Sequence, residues 1–423
     1  MLISSVIYIS ALSSLLYFLI RNRFDFLLVF FLSTILYHWQ IIGGTIITPP
    51  YFFKASEESV IIISLVLSIH TFITFLHDQI NKDRITFKDI KITKKYDLIA
   101  YILCFASLIL TLRAINIVGI DFIYKGEYIQ ALNEQNINPI WLHYPASITL
   151  IYSVLAKNRI LFFLSLVPLL VYAYIGYRAE LIMALVGCST IYAFNSKLNS
   201  FKCIVIALLA MILFTVFAVY KITYYEIKKD DVSAVEAFER RATYYGTNSE
   251  YLIKVLFYNE WGQVASNLSL STENNLGKHY NLATVIIGSV PFVKRFTDIS
   301  EDDVRFSRLI RKYANPGHSY GLGSTIWGEA FAAFNLFGVI VFGIIVSSAI
   351  AFLNNRFYHS NPIYLFSILF LCFLSFYIHR NDLSLVFAHL KNIIYLLLIV
   401  GFIFIVIHIF KFILLNAKNS NMK

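Results

Sequence analysis

"NIIYLLLIVGFIFIVIHIF", residues 392–410, contains no Asp, Glu, Lys or Arg. A helix of that length crosses nearly all of the roughly 30 Å hydrocarbon core of a bilayer. Comparable runs lie at 2–20, 60–76 and 98–112, and the chain around them is just as apolar. It is 58% hydrophobic and 14% charged, with mean hydropathy +0.69. A soluble domain carries about 25% charged residues, so this composition implies an all-α polytopic membrane protein. The run at 2–20 has neither a positive start nor a small-residue cleavage site, which predicts a retained helix.

The pattern predicts eleven spans, at 2–20, 24–43, 59–77, 97–118, 140–156, 160–176, 179–194, 203–220, 332–353, 363–378 and 385–410. Residues 1–220 then hold helices one to eight, 221–325 form one large external segment, and 326–423 hold helices nine to eleven. Sixteen Lys and Arg fall in one set of connections (Arg21 and Arg23, the 82–95 stretch, Lys157, Arg159, Lys197, Lys202, Arg356 and the C-terminal lysines). The opposite short connections hold four: Lys54, Lys125, Arg178 and Arg380. This bias predicts an outside N-terminus and an inside C-terminus.

The excess of basic residues, 35 against 25 acidic, lies where topology requires it and argues against a nucleic-acid partner. Cys104, Cys188, Cys203 and Cys372 sit inside apolar runs, without metal-ligand spacing, and read as core residues. The segment 221–325 is nearly neutral, with 13 basic and 12 acidic residues. Within it, 233–256 has helical character, with Glu236 and Arg240 four apart. "LATVIIGSVPF" (282–292) is too short to span and suits the interface or the flank of the bundle.

Charges at membrane depth cost a few kcal/mol each and need a reason. Arg113 ends the fourth span, either snorkelling to phosphates or serving a site. In "GYRAE", Arg178 and Glu180 occupy an outer turn where both can meet water. "YIHRNDLSL" (377–385) places His379, Arg380, Asn381 and Asp382 together. "NPGHSYGLGSTIWGEAFAAFNLFG" (315–338) supplies His318 and Glu329 among glycines. All four clusters map to one face, with Arg240, Arg241 and Arg295 of the large segment. Guanidinium groups grip phosphate oxygens in a bidentate fork, so the face suits a lipid-linked pyrophosphate. The sequence shows neither an Asp-rich metal motif nor a Walker loop, so no metal or other cofactor is expected.

The arginine turn, "GSVPF", "GLGSTIWGEAFAAFNLFG" and "HRNDL" occur in this order along a chain with one large outer loop. In this the chain resembles the Wzy-type O-antigen polymerases; the Lys-Pro pair that often follows the family's proline element is absent from "PFVKRF". The resemblance implies a GT-C-like inner-membrane glycosyltransferase of lipopolysaccharide biosynthesis, working at the periplasmic face. Its substrates would be undecaprenyl-pyrophosphate-linked oligosaccharides, with undecaprenyl pyrophosphate released, no nucleotide sugar, and a chain-length regulator as a further protein partner. Leaving-group chemistry points to Arg178 and Arg380 for the pyrophosphate, with Arg113, Arg240 and Arg241 behind them and Asp382 beside the sugar. His318, then Glu180, with Glu329 as helper, are the candidate bases. An O-antigen ligase, or a flippase or other transporter, is the alternative. Absence of repeat symmetry and a polar constellation confined to one face speak against transport.

Overall fold

The computed structural model describes residues 2–48, 51–81, 96–118, 140–175, 179–196, 232–245, 260–290, 299–313, 324–357 and 363–420, with 201, 202, 205 and 227 singly. Fifteen helices run through them: α1 (Leu2–Arg21), α2 (Phe26–Ile42), α3 (Glu57–Ile80), α4 (Asp97–Val118), α5 (Ile140–Ala156), α6 (Arg159–Ile175), α7 (Ala179–Asn195), α8 (Ala234–Tyr245), α9 (Glu260–Glu273), α10 (Leu282–Ser289), α11 (Glu301–Val304), α12 (Phe306–Tyr313), α13 (Ile326–Phe357), α14 (Ile363–Cys372) and α15 (Leu383–Ser420). Between α2 and α3 lies a small antiparallel hairpin, β1 (Thr45–Thr48) and β2 (Tyr51–Lys54), in register Thr45↔Lys54. Among the described residues four helices are long and apolar enough to cross a membrane: Glu57–Ile80, Asp97–Ile117, Ile326–Asn355 and Leu383–Phe410. Shorter apolar helices, Ser5–Arg21 and Phe26–Ile42 among them, accompany these four. This is the architecture of an all-α membrane protein.

The chain forms two compact units. One comprises residues 1–87, 193–355 and 373–387. In it α1 packs on α2 and α3, and α9 packs on α2, α3 and β1. The helix starts are chemically specified. Asp25 caps α2, accepting from the Leu28 N–H at 3.2 Å, and Ser56 caps α3 ahead of Glu57 and Glu58. Phe18, Phe31 and His70 stack between them, the first two with ring centroids 4.8 Å apart. His70 donates from Nε2 to the Leu27 carbonyl at 2.9 Å, leaving Nδ1 to accept from Ser347 at 3.2 Å.

Helix α13 is not one straight rod. Phe334 and Asn335 leave helical geometry, and Asn335 has φ +53° and ψ −144°, a conformation that costs a non-glycine residue of order 1–3 kcal/mol. The chain doubles so tightly there that a Cβ at Gly338 would land on the Ala330 carbonyl oxygen. The break detaches the first turns, Ile326–Ala333, from the longer remainder. Further along the chain, α14 is followed by a single π turn, Phe373–Tyr377, and a 3-10 turn, Ile378–Arg380.

The other unit comprises residues 88–192, 356–372 and 388–423. Here α4, α5 and α6 pack mutually and α14 lies on α5. Gly187 brings α7 against Cys372 and Ile151, leaving no room for a side chain. The later part of α15 stays uncovered, with Leu398 64% and Phe402 68% exposed. Such a continuous apolar face is what lipid would cover.

Candidate functional site

In the first unit, two buried carboxylates meet at the start of α15. Asp382 precedes the helix and accepts, through Oδ1, from the Ser384 hydroxyl at 2.6 Å and the Leu385 N–H at 3.2 Å. Glu329, from the detached first turn of α13, accepts from the Leu383 N–H through Oε2 at 2.6 Å, across 54 residues of sequence. The orphan N–H groups of a helix start and its positive dipole end suit anionic partners. Glu329 Oε1 is taken by the Tyr280 hydroxyl at 2.7 Å. Burial, with the Glu329 charge and hydrogen bond and the nearby Asp382, pushes the Tyr280 phenol far above its ordinary range. It therefore remains an O–H donor.

The two acids, both fully buried, are thus unequal. Both oxygens of Glu329 are engaged, whereas Asp382 Oδ2 has no hydrogen-bond partner among the described residues. One turn before Glu329, the buried hydroxyls of Ser324 and Thr325 are unpartnered as well. Glu329 is built to hold the Tyr280 turn and the start of α15 in place, and Asp382 retains an oxygen for something else.

A histidine cluster lies in the same unit. Trp327 Nε1 donates to His379 Nδ1 at 3.0 Å; indole nitrogen can only donate, so Nδ1 accepts and Nε2 carries the proton. That Nε2 faces Thr34 Oγ1 at 3.3 Å, and the Thr34 hydroxyl itself donates to the Phe30 carbonyl at 2.7 Å. His38 lies 5.7 Å from His379, ring to ring, at a kink in α2 with φ −123° and ψ 15°. It is fully buried and, among the described residues, neither ring nitrogen has a hydrogen-bond partner.

The second unit holds Glu180. The sequence lets its carboxylate meet water at an outer turn; instead its side chain is 15% exposed, with Oε1 3.8 Å from His143 Nε2. Glu180 Oε2 and His143 Nδ1 are buried without partners, and the Tyr144 hydroxyl bonds the His389 ring beside them. The first turn of α7 tucks Glu180 inward, opposite to what a terminal turn position suggests.

Of the other residues singled out from sequence, Arg178 and His318 lie outside the described residues, as do Lys294 and Arg295. Arg113 is exposed on α4, in the second unit. Arg240 is exposed on α8 and paired with Glu236 at 2.7 Å, four residues back; Arg241 follows it in that helix. Arg380 is partly buried in the 3-10 turn, two residues before Asp382. Structure adds Tyr280, Trp327, Thr34 and His38 to the first cluster, and His143, Tyr144 and His389 to the second. A lone histidine inside an apolar run was the one available signal for His38. Among the described residues, no group of three or more His, Cys, Asp or Glu is placed to hold a metal ion. Comparison with known proteins finds no match to a family model, a curated protein or a solved structure.

Proposed function

We propose that this chain is a GT-C-like membrane glycosyltransferase of eleven spans, the O-antigen polymerase that its motifs resemble. It would join undecaprenyl-pyrophosphate-linked oligosaccharides at the periplasmic face of the inner membrane. One observation carries the reading: the Glu329 stretch and the Asp382 stretch, two of the motifs behind the resemblance, are bonded to each other in one buried acidic site. In the reaction, the hydroxyl of the acceptor sugar attacks the anomeric carbon of the donor. A C–O bond forms, the bond to the pyrophosphate oxygen breaks, and the hydroxyl proton passes to a base. Asp382 Oδ2 is the open acceptor for that proton or for a neighbouring sugar hydroxyl, and Glu329 positions it. Arg380, two residues before Asp382, neutralises the departing pyrophosphate.

Purified protein given a lipid-linked repeat unit in the presence of a chelator should build a ladder of polymers. Asp382→Asn should abolish the ladder with the protein still folded. A deletion strain should show single-unit lipopolysaccharide; unattached polymer would instead indicate a ligase. Failure of purified protein to extend any lipid-linked unit would sink the proposal.

A further inference from the structure

Outside the acidic site, the first unit carries a cavity of about 630 Å³ between α10 and α12. Its making is local. Helix α12, "FSRLIRKY", buries Phe306, Leu309 and Ile310 and turns Arg308, Arg311 and Lys312 to the other side. These three cations line the cavity, with Asp303 as the single carboxylate among the described residues of its wall. The rings of His279 and Tyr313 also line it, stacked 3.9 Å apart and only 1° from parallel. A site with three cations against one carboxylate selects an anion.

Helix α10 supplies a second, independent feature. Val285 and Gly288 face the core, where a Cβ at Gly288 would strike Val304, and Thr284 lines the cavity. The remaining face leaves Ile286, Ile287 and Val290 about 40% exposed. A soluble anion has no use for an aliphatic ridge one step from its charges. A phospholipid has both parts, because its phosphate is joined to hydrocarbon.

We infer that this cavity seats the phosphodiester headgroup of an anionic phospholipid, with the α10 ridge resting in the acyl boundary of the same leaflet. Arg308 and Arg311 hold phosphate oxygens, Lys312 adds a point charge, and the 282–290 stretch works as an interfacial anchor. The inference stands apart from the glycosyltransferase reading, since it needs no reaction.

The test uses full-length protein in detergent, titrated with phosphatidylglycerol or phosphatidylcholine and read as lipid adducts by native mass spectrometry. Wild type should prefer phosphatidylglycerol. Each cation removed should weaken it about fivefold, so Arg308→Gln, Arg311→Gln and Lys312→Gln together should cost roughly 100-fold and erase the preference. Arg305→Gln removes an equal charge just before α12, outside the cavity lining, and should change nothing. Ile286→Ser with Ile287→Ser should weaken both lipids alike. Should the triple variant not fold, Lys312→Glu, at an exposed position, should still weaken phosphatidylglycerol by about fivefold or more. Undiminished binding by these cavity variants, an equal loss in Arg305→Gln, or displacement of the lipid by equimolar inorganic phosphate would each overturn the inference.

Discussion

Helix α2 begins at a cluster of ion pairs and, a few residues before its end, reaches a cluster of buried histidine rings. At its start, Arg21 grips Asp25 with both terminal nitrogens, at 2.8 and 2.6 Å, and reaches Asp78 through Nε at 2.6 Å. Asp25 also accepts from the Leu28 N–H and from Asn354, and Asp78 accepts from Tyr17. Every carboxylate oxygen there has a donor. Towards the other end stand His38 with two idle nitrogens and, elsewhere in the same unit, Asp382 with an idle oxygen. A buried polar atom without a partner costs about 1–3 kcal/mol. The first cluster is satisfied internally and stabilises the fold, whereas the second leaves buried polar atoms that a ligand could engage.

The largest effect is expected where the satisfied network is broken. Arg21→Ala leaves the buried Asp25 carboxylate without its cation, while the partly exposed Asp78 keeps Arg23 at 3.6 Å, and should destabilise the protein by about 3–5 kcal/mol. Thermal unfolding in detergent reads this directly, and a loss below 1 kcal/mol would show that the network is ornamental. Acid probes the same pair. Burial alone would raise the Asp25 carboxyl, but the Arg21 charge and its hydrogen bonds outweigh burial and hold it below the usual carboxylate range. A depressed acid stabilises the fold at pH values above its unfolded pKa, about 3.9, and that contribution fades as pH falls through the folded value. Wild type should thus lose stability below about pH 4 more steeply than Asp25→Asn; parallel curves would remove Asp25 from the account.

A smaller effect is expected at Glu329. Glu329→Gln keeps the shape but offers an N–H₂ where Tyr280 or Leu383 donates, so one contact turns repulsive at about 1–3 kcal/mol. Polymer ladders should fall far more than that stability loss explains, because the start of α15 carries Asp382. A Glu329→Gln protein with full ladders and an unchanged melting point would break the link between the two acids.

These two clusters also differ in how far the sequence foretold them. Hydrocarbon thickness imposes a one-dimensional pattern, so the runs expected at 24–43 and 59–77 lie on α2 and α3. Glu329 and Asp382 stood out for the same reason: charge inside apolar sequence is expensive wherever it falls. The bonds of Glu329 to the Tyr280 hydroxyl and the Leu383 N–H close across 49 and 54 residues, and no periodicity encodes that. The break at Asn335 interrupts a stretch that is otherwise apolar or small, where the helical pattern continues on paper. By sequence, Arg21 and Arg23 are loop charges that set topology. Arg21 instead lies 3% exposed within its ion pairs, a role visible only once α1 and α3 pack together.

The smallest change in stability is expected at His38, and there the sign matters more than the size. Phenylalanine fills nearly the same volume and has no nitrogen to satisfy. His38→Phe should leave the melting point unchanged or raise it, since removing an unpartnered polar group lifts its desolvation cost. The same substitution should reduce ladder formation if those nitrogens serve a sugar or headgroup. A clear loss of stability would mean that His38 already has a partner in the membrane, and the contrast between the two regions would then narrow to Asp382 alone.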